Sequence, residues 1–234
     1  MDLDFLTVGI IWYIVFINSV VLHEVAHAYA AYKLGDSTAY DQGLVTVVPI
    51  PHIKRHIFGT VIVPIISYAI GGWMIGWASA PMDSMWVQRY PKRSAIVALS
   101  GPLTNLALMI IAGLIIHIGF RIGFFYAPDS VDFSHVTAVT AGGNLNFIAT
   151  IVSIAFTLNL ILFLLNLFPV PPFDGSKSIL FFLNDEQASK VMTILYNPMT
   201  AIVGLIIAWN VFGYILSPIF LAAVNLTYPG VSYH

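Results

Sequence analysis

The 234 residues contain no cysteine and little charge: 9% are Asp, Glu, Lys or Arg, and 9 basic against 11 acidic side chains leave a formal net charge of −2. Without cysteine there are no disulfide staples, no thiolate zinc ligands and no cysteine nucleophile. There is no basic run of the kind that binds nucleic acid, and no acidic tail. A soluble domain carries about 25% charged residues. A chain this poor in charge cannot cover a water-facing surface, so lipid must be the solvent for most of it. The start, Met1-Asp-Leu-Asp-Phe5, lacks the positive charge of a cleavable signal peptide. The first hydrophobic stretch is therefore expected to stay as a membrane helix.

What fills the chain is apolar: 59% of it is hydrophobic. About 20 apolar residues cross the hydrocarbon layer, and five stretches qualify, at residues 5–34, 57–80, 95–120, 145–168 and 201–226. Only the first holds charged residues, Glu24 and Lys33. Lys33 sits at its end and can snorkel to the interface, whereas Glu24 lies deeper and needs a reason. Between the stretches, Leu44-Val-Thr-Val-Val48 has a β-like pattern, and 175–198, apolar at 179–183 before Asp185-Glu186, reads as an interfacial helix. No internal repeat or low-complexity tract is visible. One membrane-embedded domain over 1–234 is the economical expectation.

Basic loops constrain the topology. Lys54 and Arg55 in one loop and Arg89, Lys92 and Arg93 in the next both ask for the cytoplasmic side. Both can have it only if 57–80 enters and leaves on one face, or lies partly in the interface, with Gly71-Gly72 as a possible break.

The chemistry starts at His23-Glu24-Val25-Ala26-His27, an H-E-x-x-H pattern. On a helix, residues four apart share a face with Cβ atoms about 5–6 Å apart, so two imidazoles can converge on one zinc ion. The glutamate beside them can reach a water there as general base. In soluble helices the bare pattern is often two solvated histidines. At membrane depth, ionisable residues are costly and default to function. A catalytic zinc site wants a third protein ligand. His52 and His56 flank Lys54-Arg55 and read as a solvated loop; His117 is alone on a hydrophobic helix; His135 and His234 lie in mixed or terminal sequence. Among carboxylates, Asp174 is best placed, after an uncharged span and a run of prolines that forces irregular backbone. Irregular backbone at membrane depth is tolerated only where buried in protein or lining a water-filled cavity. Zn²⁺, two neutral histidines, one Asp and one Glu sum to zero charge, which makes the cluster far cheaper to bury than any member alone.

H-E-x-x-H in a hydrophobic helix, followed by Asn166-Leu-Phe-Pro-Val-Pro-Pro-Phe-Asp174-Gly175, resembles the site-2 protease family of intramembrane zinc metalloproteases. Ser100-Gly-Pro-Leu-Thr-Asn105 is similar to that family's Gly-Pro-Leu-x-Asn segment. Pro51-His52-Ile53, Gly59-Thr60 and Gly76-Trp77-Ala78 resemble a compact prokaryotic branch without PDZ or CBS domains. The likeness runs from about Val21 to Gly175. Lys54-Arg55, Ser79-Ala80-Pro81 and Ser176-Lys177 depart from the usual pattern without touching a ligand.

The resemblance implies that His23, His27 and Asp174 hold one Zn²⁺ per chain, that Glu24 activates water, and that Asn166 helps stabilise the oxyanion. Asn105 would be a structural or substrate-facing polar residue, with a helix–helix hydrogen bond as the equal alternative. His27 and Asp174 both follow on the late parts of their hydrophobic stretches, so those stretches should run in parallel with one crossing between them. This predicts an all-α polytopic membrane protein: a helical bundle with a three-helix catalytic core (first, third and fourth stretches), a short β-element after the first helix and one re-entrant segment. The expected function is hydrolysis of peptide bonds within or near transmembrane segments of membrane proteins, in a prokaryotic cell membrane. The partners are a transmembrane protein substrate and the lipid bilayer, with no nucleic acid. Residues 44–48 are expected to offer a strand edge to the unwound substrate. The alternative is a non-proteolytic membrane zinc-binding protein: a transporter, a sensor or an inactive protease-like scaffold.

Overall fold

A computed structural model describes residues 3–140 and 143–234. Apolar sequence of this length becomes helix in lipid, because only intrahelical bonds satisfy every backbone group there. Helix α1 spans Leu3–Leu34, the short α2 Thr38–Asp41 and α3 Pro49–Arg55. A π-turn at Phe58–Ile62 leads into α4, Val63–Gly71, and α5 covers Ser84–Arg89. Then come α6, Pro91–Arg121; α7, Asn146–Asn166; α8, Asp174–Ser178; α9, Asp185–Leu195; and α10, Pro198–Thr227. Four of these, α1, α6, α7 and α10, are long and apolar enough to cross a membrane.

The stretch 57–80 does not cross. It is helical only to Gly71, where Gly72 adopts a left-handed conformation (φ +73°) and ends the helix. An extended limb then returns along it, with Ile75 N–H donating to Ser67 Oγ and Trp77 N–H to Gly59 O, each at 3.0 Å. A Cβ at Gly76 would strike Gly59 O and would lie 2.6 Å from Phe16 Cζ, so both glycines are needed for this approach. The outgoing limb reaches the first turns of α1, where Tyr68 Oη donates to Phe5 O at 2.7 Å. The returning limb ends where Asp83 N–H donates to the buried carboxylate of Asp36, just past α1. The segment therefore enters and leaves on one face, one of the two arrangements the basic loops allowed.

One crossing, α6, separates α1 from α7, and these three helices form the middle of the molecule. Trp12, Phe16 and Val20 of α1 pack on Ile154, Leu158 and Leu162 of α7, while Ala112 and Ile116 of α6 pack on Phe156 and Leu160 of α7. At the C-terminal end of α1, Ala31 meets Trp86, Ala95, Leu180 and Met192. Of the nine basic residues, only Arg121 lies at the opposite end; Lys33, Lys54, Arg55, Arg89, Lys92, Arg93, Lys177 and Lys190 gather at this one. The positive-inside rule makes it the cytoplasmic end.

One local expectation fails. Residues 44–48 form no strand: the Thr46 carbonyl is instead tied to α3, accepting from His52 Nε2 at 2.9 Å. β-Branched composition favours a strand only where a partner is present, and none is there among the described residues. The sheet lies elsewhere, with Phe125–Tyr126 antiparallel to Ala138–Val139 in the loop between α6 and α7. The connection 175–198, expected to hold an interfacial helix, folds as a 3₁₀ turn at Ile179–Phe182 followed by α9, Asp185–Leu195.

Candidate metal centre

His23 and His27 stand one turn apart on α1, both buried, with ring centroids 4.6 Å apart and planes nearly perpendicular. From His27 to the end of α1 at Leu34 is seven residues, about 10 Å at 1.5 Å per residue, so the pair lies below the cytoplasmic surface. The Nε2 atoms approach to 3.0 Å. Asp174, at the start of α8, completes a triangle: its Oδ2 is 3.2 Å from His23 Nε2 and 3.0 Å from His27 Nε2. Two residues 151 apart in sequence, His23 and Asp174, thus share one point in space.

The far side of each imidazole is already used. His23 Nδ1 donates to Asn105 Oδ1 at 2.6 Å, and His27 Nδ1 to Val97 O at 2.7 Å, both on α6. A neutral imidazole has one N–H, so both Nε2 atoms present lone pairs to each other and to a carboxylate oxygen. Three lone pairs at this spacing repel unless a positive charge sits among them. Bonds of 2.0–2.1 Å to a tetrahedral zinc place its ligand atoms about 3.3 Å apart, close to the 3.0–3.2 Å found. Such second hydrogen bonds on the opposite ring nitrogen are what fixes metal-binding histidines.

Two further features fit an ion. A Cβ on Gly101 of α6 would press on the Nε2 atoms of both His27 and His23, 2.5 Å from the latter. Glycine there keeps the space between the donors open. Pro102 follows it inside α6, removing one backbone donor. Glu24 is buried, and its Oε2 has no hydrogen-bond partner among the described residues. Leaving a buried carboxylate oxygen unpaired is expensive, unless a ligand or water meets it. The donor atoms of His23, Glu24 and His27 lie within 4.8 Å of one another, as metal ligation allows.

Lys177, one turn after Asp174, puts its Nζ 3.4 Å from Oδ1, the carboxylate oxygen turned away from the histidines. Lys177 also lines a cavity of about 580 Å³ shared with Met82, Gln88, Met192 and Tyr196, on the cytoplasmic side of the site.

The remaining candidates are held by other contacts. Asn166 Nδ2 donates to Leu162 O of its own helix at 3.0 Å. His52 and His56 hold loops: His56 Nε2 meets Ser79 O at 3.0 Å, pinning the returning limb of the hairpin. His117 meets Thr227 O at 3.1 Å, joining α6 to the end of α10. Asn105 proves to be both things at once, a helix–helix hydrogen bond and the partner of a candidate ligand. Behind it stand Asn159 and Ser19, which the sequence reading missed. Both are polar residues inside hydrophobic stretches, and that was the available signal.

Comparison with known proteins shows the family. Residues 11–211 match the family model described as peptidase family M50. The chain belongs to that family. Among curated relatives, YwhC of Bacillus subtilis (strain 168) is 34% identical over 71% of this chain and 66% of its own length. Rip2 of Mycolicibacterium smegmatis (strain ATCC 700084 / mc(2)155) is 26% identical over 72% of this chain and 55% of its own. Rip2 of Mycobacterium tuberculosis (strain ATCC 25618 / H37Rv) is 28% identical over 67% and 51%. All three carry provisional zinc metalloprotease names. The matched stretch thus spans half to two thirds of these relatives. No solved structure matches this chain. Membership of the M50 family, the site-2 protease family, agrees with the motifs at 23–27, 100–105 and 166–175.

Proposed function

We propose that this M50 protein is a zinc metalloendopeptidase acting within the membrane, cutting membrane proteins in or near their transmembrane segments. His23, His27 and Asp174 hold one Zn²⁺, and Glu24 is the general base. The observation that carries this reading is the meeting of Asp174 Oδ2 with both imidazole Nε2 atoms, in a space that Gly101 leaves clear.

Zinc, when bound, would supply Lewis acidity, polarising a carbonyl and acidifying water. The chain's own residues do the rest. Glu24 Oε2, free of any other partner, takes the proton from the attacking water and returns it to the leaving amine. Lys177 keeps the second oxygen of Asp174 occupied, so the carboxylate presents one oxygen to the site. Asn166 is the proposed oxyanion donor, a role that requires its amide to leave Leu162 O. A transmembrane helix hides its carbonyls in hydrogen bonds, so the substrate must become extended before it is cut. The strand edge expected at 44–48 is better supplied by the returning limb of the hairpin. There the N–H groups of Gly76 and Ala78 have no intramolecular partner among the described residues. Along this limb Gly76 lies against Phe16 of α1, and Ala80 packs on the cluster of Ala28, Ala39 and Leu44.

The experiment is co-expression of the full chain with a panel of single-span membrane proteins, comparing wild type with Glu24→Gln, with zinc measured in both. A general base is worth about 10²–10⁴-fold. Cleavage of a panel member should fall by at least ~100-fold in the variant, with zinc retained. No cleavage by wild type of any panel member, with zinc-dependent transport or sensing that survives Glu24→Gln, would replace this reading with the non-proteolytic one.

A further inference from the structure

We infer that Asn159 is a positioning residue: through Asn105 it holds His23 in the tautomer whose Nε2 is free for the ion. This deepens the zinc reading above and rests on it. Hydrogen-bond direction decides the matter. One end of the Asn159 amide lies 2.8 Å from Ala155 O, a backbone carbonyl one turn earlier on α7. A carbonyl only accepts, so the atom facing it is the amide nitrogen, which also donates to Ser19 Oγ of α1 at 3.0 Å. The other end, Oδ1, therefore faces Asn105 across 2.9 Å, and Asn105 must meet it with its own nitrogen. That turns Asn105 Oδ1 toward His23, 2.6 Å from Nδ1, and an acceptor there demands that Nδ1 carry the hydrogen. Nε2 then keeps its lone pair.

No other arrangement survives. Turning Asn105 over would set two amide oxygens against each other at 2.9 Å. Turning both asparagines would set Asn159 Oδ1 against Ala155 O at 2.8 Å. Asn105, Asn159 and Ser19 are 0%, 2% and 4% exposed, so no bulk water repairs a reversed link. His27 needs no such relay, because its Nδ1 already faces a backbone carbonyl, Val97 O. Both candidate ligands are thus set by a carbonyl that cannot turn over, one directly and one two asparagines away.

The test uses the full chain in detergent, stripped of metal and titrated with zinc against a competing chelator, with ¹⁵N-histidine spectra of the metal-free protein. In Asn159→Leu the Asn105 amide is free to turn. Zinc should bind about 10–100-fold more weakly, and an Nε2-protonated form of His23 should appear. Ser19→Ala leaves the Ala155 anchor in place and should change affinity by less than about 3-fold. Thr157→Val, on the same helix, removes a buried hydroxyl that has no partner among the described residues and should keep wild-type affinity. The inference is overturned if Asn159→Leu keeps both affinity and a single tautomer, or if Ser19→Ala costs as much. Should Asn159→Leu not fold, the wild-type spectrum decides alone: His23 must carry its hydrogen on Nδ1, and an Nε2-protonated His23 overturns the relay. Failure of the wild type to bind zinc at all would count against the metal reading, while the tautomer would still report on the relay.

Discussion

Helices α7 and α10 are alike in sequence and opposite in use. Both are uncharged, apolar and long enough to span, yet 67% of the most apolar window of α7 is buried inside the molecule against 17% for α10. Each carries an asparagine within its hydrophobic run, and each asparagine donates to the carbonyl four residues back at 2.8 Å, Asn159 to Ala155 and Asn210 to Ile206. There the likeness stops. Asn159 is buried and joins α1, α6 and α7 behind the candidate metal centre, while Asn210 is exposed on the outside of α10. The lesson is that a polar residue within a span acquires meaning from the face it occupies. Burial turns a local i−4 bond into a fixed reference for its neighbours; exposure leaves it a way of hiding a polar group from lipid.

Substitutions can sharpen this contrast between an organised interior and an inert exterior. The largest effect is expected at Gly101→Ala. Alanine favours helix over glycine by about 1 kcal/mol, so the helix should hold while the added methyl occupies the space between the imidazoles. Zinc binding should be lost with circular dichroism unchanged; a variant that still binds zinc tightly would show that the space is not where the ion sits. Next comes Asn159→Leu, whose thermal midpoint should fall with that of the buried network. Stranding a buried polar partner costs about 1–3 kcal/mol, and the detergent-solubilised unfolding temperature reports it. Lys177→Gln should weaken zinc affinity by only about 2- to 5-fold, in keeping with a partly exposed ion pair worth up to about 1 kcal/mol, and Lys177→Arg should restore it. The smallest effect is expected for Asn210→Leu, a lipid-facing change that should leave zinc affinity unaltered and stability within about 0.5 kcal/mol. A large loss of zinc there would break the comparison.

Much of this was legible in the chain. His23, Glu24 and His27 announce themselves by spacing, and the shortage of charge announces the membrane. The prolines before Asp174 mark the irregular backbone that brings it back to α1. Basic residues on both sides of 57–80 gave away a segment that returns to its own side. What was not legible depends on facing. Asn159 looks like Asn210 until the helices are packed, and Gly101 looks like one half of a Gly-Pro helix disturbance until the imidazoles are seen against it. Residues 44–48 have strand composition but no neighbour to pair with, whereas Phe125–Tyr126 and Ala138–Val139 pair across a loop with no strong alternation. Asn166 sits one turn past Leu162 and donates to its carbonyl, a local bond that nothing in the sequence gave reason to expect.

A carboxylate from the loop after α7 and two imidazoles from α1 are held to bind a single ion together, and everything else rests on that meeting. The most direct measurement is the zinc content of the purified full chain, wild type beside Asp174→Ala, after equal dialysis against a weak chelator. Wild type should retain about one zinc per chain, as a three-ligand catalytic site does, and the variant almost none. Equal zinc in the two proteins would contradict a shared site.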